Sequence, residues 1–188
     1  YNLSLNSFAD LHKWSVENKK DFWAEVWHLA EIKHSEPYTA VYTEDLNRKK
    51  VPRPIWFPGA KLNFAENLLK YRDNSTALIA HREGKANTRI SHSQLYRQVV
   101  KMAHSMRQLG VVKGDRVAGF VTNVPETIIC MLAATSIGAI WSSSSPDFGF
   151  QGIMDRFGQI KPKVLIAVNG YSYNGKPYDT SEKLAKIV

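Results

Sequence analysis

Residues 114–149 read GDRVAGFVTNVPETIICMLAATSIGAIWSSSSPDFG, and this stretch decides the fold class of the chain. It opens with a short apolar run, Arg116–Val121, which is typical of a strand buried on both faces. Pro125 suits the first turn of a helix, and Gly138 suits its end. A second strand is predicted to begin at Ala139–Trp141. Two strands joined by a helix predict a parallel crossover unit, because parallel strands need a long connection between them.

The same alternation of strands and helices covers the chain from Thr76 onward. The remaining predicted strands are Ala77–Ala80, Thr88–Ile90 and Val164–Val168, and the remaining helices follow a capping box at Ser91–Gln94, span Gly149–Ile160 and begin at Ser181. This pattern predicts an α/β fold built around a parallel sheet.

The first 60 residues carry a different pattern. Ser7 is a candidate N-cap for a first helix, and a second helix is predicted over Lys20–Ile32. Trp23 and Trp27 fall on one stripe of that helix, which favours packing over a ligand platform. Prolines interrupt Glu36–Ala60, so this segment is predicted to be an irregular strap. The expected fold class is therefore α/β, with N-terminal helices and a strap packed on a partial parallel αβα subdomain.

The charge of the chain does not point to one partner. The composition is ordinary for a globular chain, with 44% hydrophobic and 22% charged residues among 188. The formal net charge is +8, yet no basic run exceeds Arg48–Lys50. Scattered basic residues favour a solvated surface, with a phosphate-bearing small ligand as the second interpretation and nucleic acid as the third. We expect no nucleic-acid partner.

Several other classes of protein and site are disfavoured. The single cysteine, Cys130, excludes an intramolecular disulfide and favours a reduced, cytosolic setting. The sequence has no run of 18 apolar residues and no recognisable signal peptide, so no membrane span is expected. The six histidines lack metal-ligand spacing, and no Gly-x-Ser-x-Gly nucleophile elbow is present.

The segment Gly170–Lys176, GYSYNGK, has the Gly-x-x-x-x-Gly-Lys spacing of a phosphate-binding P-loop. Pro177 stands where a P-loop needs Ser or Thr, and it disfavours helical geometry at Lys176. The segment is therefore not predicted to hold a nucleotide triphosphate. What remains is a cation on a loop at the carboxyl end of a strand, where open α/β sheets bind ligands. An exposed surface lysine is the alternative.

The serine run Ser142–Ser145 and the following Asp147 lie between a predicted strand and a predicted helix. Such a position places hydroxyls and a carboxylate at the ligand-binding edge of a sheet. An ordinary helix-capping loop is the alternative interpretation.

Three stretches together resemble the AMP-forming acyl-CoA synthetases of the adenylate-forming superfamily. They are WFPGAKLNFAENLL (Trp56–Leu69), ISHSQLYRQV (Ile90–Val99) and the segment 114–149. Within that family, LNFAENLL and SIGAIWSSSSPDFG are most similar to the acetoacetate-activating members.

The resemblance implies a domain organisation and an activity. Residues 1–75 would form the N-terminal helical and strap region, and residues 76–188 the first part of the adenylation domain. ATP, with Mg²⁺, would adenylate acetoacetate, and CoA would then displace AMP. The partners would be these small molecules, and the setting the cytosol. Two alternatives remain open: a ligase for another short acid such as acetate or propionate, and a non-catalytic binding module derived from the fold.

The resemblance also implies four ligand-contacting residues. Two arginines that contact the ribose phosphate of CoA in acetyl-CoA-forming relatives fall on Tyr173 and Lys176. Lys176 keeps a positive charge without the bidentate fork of arginine, whereas Tyr173 departs from the pattern. A Gly-Gly-Phe segment beside the pantetheine channel of those relatives falls on Pro146–Phe148, where Phe148 matches and Asp147 does not.

The family's glycine-rich phosphate loop and its lysine-bearing lid have no counterpart in these 188 residues. No catalytic residue and no Mg²⁺ ligand is therefore assigned within them, and we expect them to catalyse neither step alone.

Overall fold

The structure is a computed structural model that describes residues 4–45 and 53–187. The chain divides into two compact units, Tyr1–Asn63 and Phe64–Val188. Within the described residues, no helix combines the length and the apolar character that crossing a bilayer requires.

The first unit begins with helices α1 (Phe8–Glu17) and α2 (Lys19–Leu29). The Ser7 hydroxyl accepts a hydrogen bond from the Asp10 N–H at 3.1 Å, which confirms the predicted N-cap. Trp27 of α2 is buried, and its ring centroid lies 4.6 Å from that of Phe57. The tryptophan stripe is thus used for packing at Trp27, whereas Trp23 stays 42% exposed.

The prediction of an irregular strap over Glu36–Ala60 is wrong in part. Strands β1 (Tyr42–Asp45) and β2 (Arg53–Trp56) pair antiparallel, with Tyr42 opposite Trp56. In a two-stranded ribbon each strand has one unpaired edge, so β2 accommodates Pro54 as a central sheet strand would not. Residues 46–52 of the predicted strap lie outside the described residues.

The second unit begins with α3 (Phe64–Leu68), followed by a hairpin of β3 (Thr76–Arg82) and β4 (Lys85–Ser91). Helix α4 (His92–Gln108) follows at once. Its capping box is confirmed: the Ser91 hydroxyl accepts from the Gln94 N–H at 3.2 Å, and the Gln94 side chain accepts from the Ser91 N–H at 2.8 Å.

The predicted parallel crossover units form the centre of this unit. They comprise β5 (Arg116–Phe120), α5 (Pro125–Ser136), β6 (Ile140–Ser144), α6 (Phe150–Ile160) and β7 (Val164–Ala167). The three strands are parallel, and their order is β6-β5-β7. Strand β5 therefore hydrogen-bonds along both of its edges.

The core lies on both faces of β5. Val117 packs in a cluster with α4 and α5, whereas Ala118 and Phe120 pack with Ile153 and Phe157 of α6. Helices α4 and α5 cover one face of β5 and α6 covers the other. Both faces of the strand are therefore buried, which explains why its sequence is apolar without alternation.

Charged side chains join the connections at the amino edge of the sheet. Asp115 accepts from the Val112 N–H at 2.9 Å and from the Lys163 ammonium at 3.1 Å. The Val112 N–H first, and Lys163 second, hold the pKa of Asp115 below its ordinary value. Arg116 donates to the Ile160 and Lys161 carbonyls at 2.8 and 3.2 Å. These bonds tie the start of β5 to the end of α6 and to Lys163, the residue before β7.

The segment after β7 differs from the prediction. Gly170–Lys176 is not a loop, because β8 (Gly170–Tyr173) and β9 (Lys176–Asp179) pair as an antiparallel hairpin. Its turn, Asn174–Gly175, has φ of 51° and 72°, the left-handed pair that a tight two-residue hairpin requires. Helix α7 (Ser181–Ile187) follows and begins at the predicted residue.

The lack of a side chain at Gly119 in β5 makes room for Trp141 of β6. A Cβ atom at Gly119 would lie 2.6 Å from the Cζ2 atom of the Trp141 ring. We therefore expect Gly119→Ala to lower the free energy of unfolding by about 1–3 kcal/mol, because the half-buried Trp141 ring, which packs against the core, must move. Urea-induced unfolding of the purified protein measures this change.

Gly158→Ala is the matched control for that substitution. Gly158 lies inside α6, and a Cβ atom there would meet nothing within 4 Å. Alanine should stabilise this helix by up to about 1 kcal/mol. Equal unfolding free energies for the two variants would show that Trp141 is not confined by Gly119.

Candidate functional site

A cleft of about 530 Å³ opens at the carboxyl edge of the sheet. Its lining comes from the residues that end β5 and β6, from the start of α5, and from β8: Val121, Thr122, Asn123, Thr127, Ser143, Ser144, Ser145, Pro146, Asp147, Tyr171, Ser172 and Tyr173. Open α/β sheets bind ligands at this edge. The cleft is therefore the candidate functional site.

Two hydrogen bonds hold the chain between β5 and α5, where it lines the cleft. The Val121 N–H donates to the Ser144 carbonyl at 3.1 Å, and the Thr127 hydroxyl donates to the Thr122 carbonyl at 2.7 Å. The connection from β5 to α5 is thus held from both sides. Such bonds favour one geometry of a site before a ligand arrives.

The serine run is placed differently from the prediction. Ser142–Ser144 belong to β6, so this part of the run is strand and not a capping loop. The Ser144 hydroxyl is buried and has no hydrogen-bond partner among the described residues. Ser143, Ser144 and Ser145 nevertheless line the cleft, together with Asp147. The cleft wall is therefore polar on the β6 side, as expected for a site that orients a polar ligand.

Two basic side chains hold the loop that carries Asp147. The Lys183 ammonium of α7 donates to the carbonyls of Pro146 and Phe148, at 2.9 Å in both cases. The Arg156 guanidinium lies 4.4 Å from the centroid of the Phe148 ring. Sequence reasoning missed Lys183, which lies 35 residues after Phe148 and carries no motif that marks it.

The four predicted ligand-contacting residues are only partly brought together. Asp147 and Tyr173 line the cleft, and Phe148 follows Asp147 in the same loop. Lys176 is not among the lining residues, but it pairs with Tyr173 across the hairpin. Side chains of paired residues lie on the same face of an antiparallel ribbon. Lys176 therefore shares a hairpin face with Tyr173, beside the cleft, and its role stays a prediction.

The amides of the P-loop-like segment are already occupied. The N–H groups of Asn174 and Gly175 donate to the two carboxylate oxygens of Glu83, at 3.0 and 3.1 Å. These amides thus hold an anion of the same chain, and a hairpin replaces the helix that a P-loop would require. Sequence reasoning missed Glu83 as well.

Cys130 does not contribute a nucleophile to the site. It is buried in α5, and burial first and the Glu126 carboxylate second raise the pKa of its thiol. A thiol with a raised pKa stays protonated at neutral pH and is a poor nucleophile.

Residues 64–187 match the family model described as AMP-binding enzyme. The chain belongs to this family. A second family model, Acetyl-coenzyme A synthetase N-terminus, matches residues 8–68. The two matches together cover most of both compact units.

Individual relatives resemble nearly the whole chain. Acetoacetyl-CoA synthetase of Macaca fascicularis is 45% identical over 99% of the chain. Malonamoyl-CoA synthetase vrtB of Penicillium aethiopicum is 39% identical over 100% of it. The solved structure of acetoacetyl-CoA synthetase from Streptomyces lividans covers 98% of the chain at 36% identity, with a TM-score of 0.87. The chain spans 28%, 27% and 28% of these three proteins, in that order.

The bonds from Lys183 make the position of the Asp147 loop depend on α7. We expect Lys183→Met to speed hydrogen–deuterium exchange in residues 145–149 and to lower the free energy of unfolding by about 1 kcal/mol, because methionine keeps the apolar stem but donates nothing. Mass spectrometry of the peptide that contains the loop measures the exchange. Lys186→Met, at an exposed position of the same helix, is the control. Equal exchange in both variants would contradict the role of Lys183.

Proposed function

We propose that the chain is the N-terminal portion of an acetoacetate–CoA ligase that forms AMP. The observation that carries this proposal is the resemblance to acetoacetyl-CoA synthetases over nearly the whole chain. Family membership supports the use of ATP and CoA. The partners of the whole protein would be acetoacetate, ATP and CoA.

The proposed reaction overcomes the poor reactivity of a carboxylate. A carboxylate oxygen of acetoacetate attacks the α-phosphorus of ATP and releases pyrophosphate. The resulting acyl adenylate is a mixed anhydride with a good leaving group. The thiolate of CoA then attacks the acyl carbon, forms the thioester and releases AMP. The protein contributes chiefly by holding the reacting groups in line and by excluding water.

We assign residues 1–75 to the N-terminal helical and strap region and residues 76–188 to the first part of the adenylation domain. The described residues contain no group of three His, Cys, Asp or Glu side chains that could hold a metal ion. No step through Mg²⁺ is assigned to them. The cytosol is the proposed location, which the single buried cysteine supports.

Within this reaction, the cleft is proposed to border the path of CoA. Tyr173 and Asp147 line the cleft, and Phe148 lies in the loop that Lys183 fixes. Lys176 would supply a positive charge to the ribose phosphate of CoA. A lysine offers one compact ammonium group, so it would contact the phosphate as a point charge and not as a bidentate fork.

A ligase for another short acid is the second candidate. The malonamoyl-CoA synthetase favours it, because a relative with 39% identity is named for a different acid. Resemblance at this level therefore leaves the acyl group open.

A panel of acids separates the two candidates. We expect the full-length protein to release AMP and pyrophosphate with acetoacetate, ATP and CoA. Its kcat/KM for acetoacetate should exceed that for acetate, propionate and malonamate by about tenfold or more, the discrimination that a small pocket achieves. A higher kcat/KM for any other acid would make that acid the proposed substrate. If none of the acids causes AMP release, both candidates are refuted.

The CoA contact is tested separately by Lys176→Ala in the full-length protein. We expect the KM for CoA to rise about tenfold, the equivalent of about 1.4 kcal/mol of lost binding. The rate of acetoacetate-dependent ATP–pyrophosphate exchange should stay unchanged, because CoA takes no part in adenylation. Lys101→Ala, at an exposed position of α4, is the control. An unchanged KM for CoA would show that Lys176 is an exposed surface lysine that does not contribute to CoA binding.

A further inference from the structure

Glu83 connects two hairpins that are far apart in sequence. It lies in the turn between β3 and β4, and its two carboxylate oxygens accept from the N–H groups of Asn174 and Gly175. These residues form the turn between β8 and β9, 91 and 92 positions later in the chain. Each carboxylate oxygen has its own donor, so both bonds form together without competing for one acceptor.

The backbone of the turn explains why a carboxylate binds there. Both turn residues have positive φ, and the central N–H groups of a tight hairpin turn have no partner in the strand ladder. Successive amides in such a turn form a small anion-binding concavity. A charged acceptor makes stronger hydrogen bonds with them than a neutral one would.

The hairpin needs an anchor at its tip. Each of its strands has four residues, and every residue of β9 is exposed. Isolated two-stranded hairpins of this size are marginally stable in water. A cleft of about 690 Å³ is lined by residues of both hairpins, among them His81, Lys85 and Tyr178. The hairpins are thus not packed together along their length, and Glu83 bridges them at the tip.

The base of the hairpin is held independently of Glu83. The buried Thr180 hydroxyl donates to the Val168 carbonyl, and the rings of Tyr171 and Tyr178 stack with centroids 5.1 Å apart. Loss of Glu83 should therefore loosen the tip while the base stays in place.

We propose that Glu83 is a positioning residue that fixes the tip of the β8–β9 hairpin, so that Tyr173 and Lys176 are presented to CoA. These two residues flank the turn that Glu83 holds, one on each strand. The proposal rests on the proposed function of this site. Glu83 itself does not touch the substrate; it acts through the two backbone amides.

Glu83→Ala and Glu83→Gln in the full-length protein test the proposal. In Glu83→Ala, hydrogen–deuterium exchange of the peptide 170–179 should become about fivefold faster, and the KM for CoA should rise about fivefold, since two charge-assisted bonds are lost. Acetoacetate-dependent ATP–pyrophosphate exchange should keep its rate. Glu83→Gln keeps one carbonyl acceptor, so both changes should be smaller. Glu182→Ala, at an exposed position of α7, is the control.

The outcomes separate this proposal from the CoA site itself. Faster exchange together with a higher KM for CoA supports the positioning role. Unchanged exchange in Glu83→Ala overturns it. Faster exchange with an unchanged KM for CoA also overturns it if Lys176→Ala raises that KM, because the contact would then not depend on Glu83. If both alanine variants leave the KM for CoA unchanged, the proposed CoA site fails and the positioning role fails with it.

Discussion

The burial of β5 on both faces is the constraint on which the second unit depends. The strand hydrogen-bonds to β6 on one edge and to β7 on the other, and Val117, Ala118 and Phe120 are fully buried. A strand in this position has no solvent-facing side, so every neighbour must fit it. Because Gly119 has no side chain, the ring of Trp141 fits against it. Helices α4, α5 and α6 cover the remaining apolar surface of the strand. The carboxyl ends of β5 and β6 then meet at one edge, where the cleft lies.

The crossover units were predictable because their signals are local. The apolar run of β5, the proline at the start of α5 and the capping box of α4 each act within a few residues. The β8–β9 hairpin was missed although Asn174–Gly175 is a strong hairpin signal, because the glycine and lysine spacing drew the interpretation toward a phosphate loop. The contacts of Glu83 and Lys183 could not be predicted from local sequence patterns, because their partners lie 91 and 35 residues away. Glutamate and lysine are also common surface residues, so neither stands out in the sequence.

The near-match at Gly170–Lys176 shows what a spacing motif does and does not specify. Amides in a turn with positive φ attract an anion whatever follows the turn. A helix start and a hydroxyl are what turn that attraction into a triphosphate site, and Pro177 provides neither. Here the available anion is the carboxylate of Glu83. The amides of the turn bind an anion, as those of a P-loop do, but the anion is a side chain of the same chain and not a ligand.

The two edges of the sheet differ in how much they contribute to holding the fold together. At the amino edge, Asp115 and Lys163 form an ion pair, and Arg116 donates to backbone carbonyls at the end of α6. A change there would disturb how the strands are connected. At the carboxyl edge, β9 is exposed along its whole length and contributes little to the core. Replacement of exposed residues on that hairpin would remove little buried apolar surface. The outer face of the hairpin can therefore change in sequence without a compensating change in the interior.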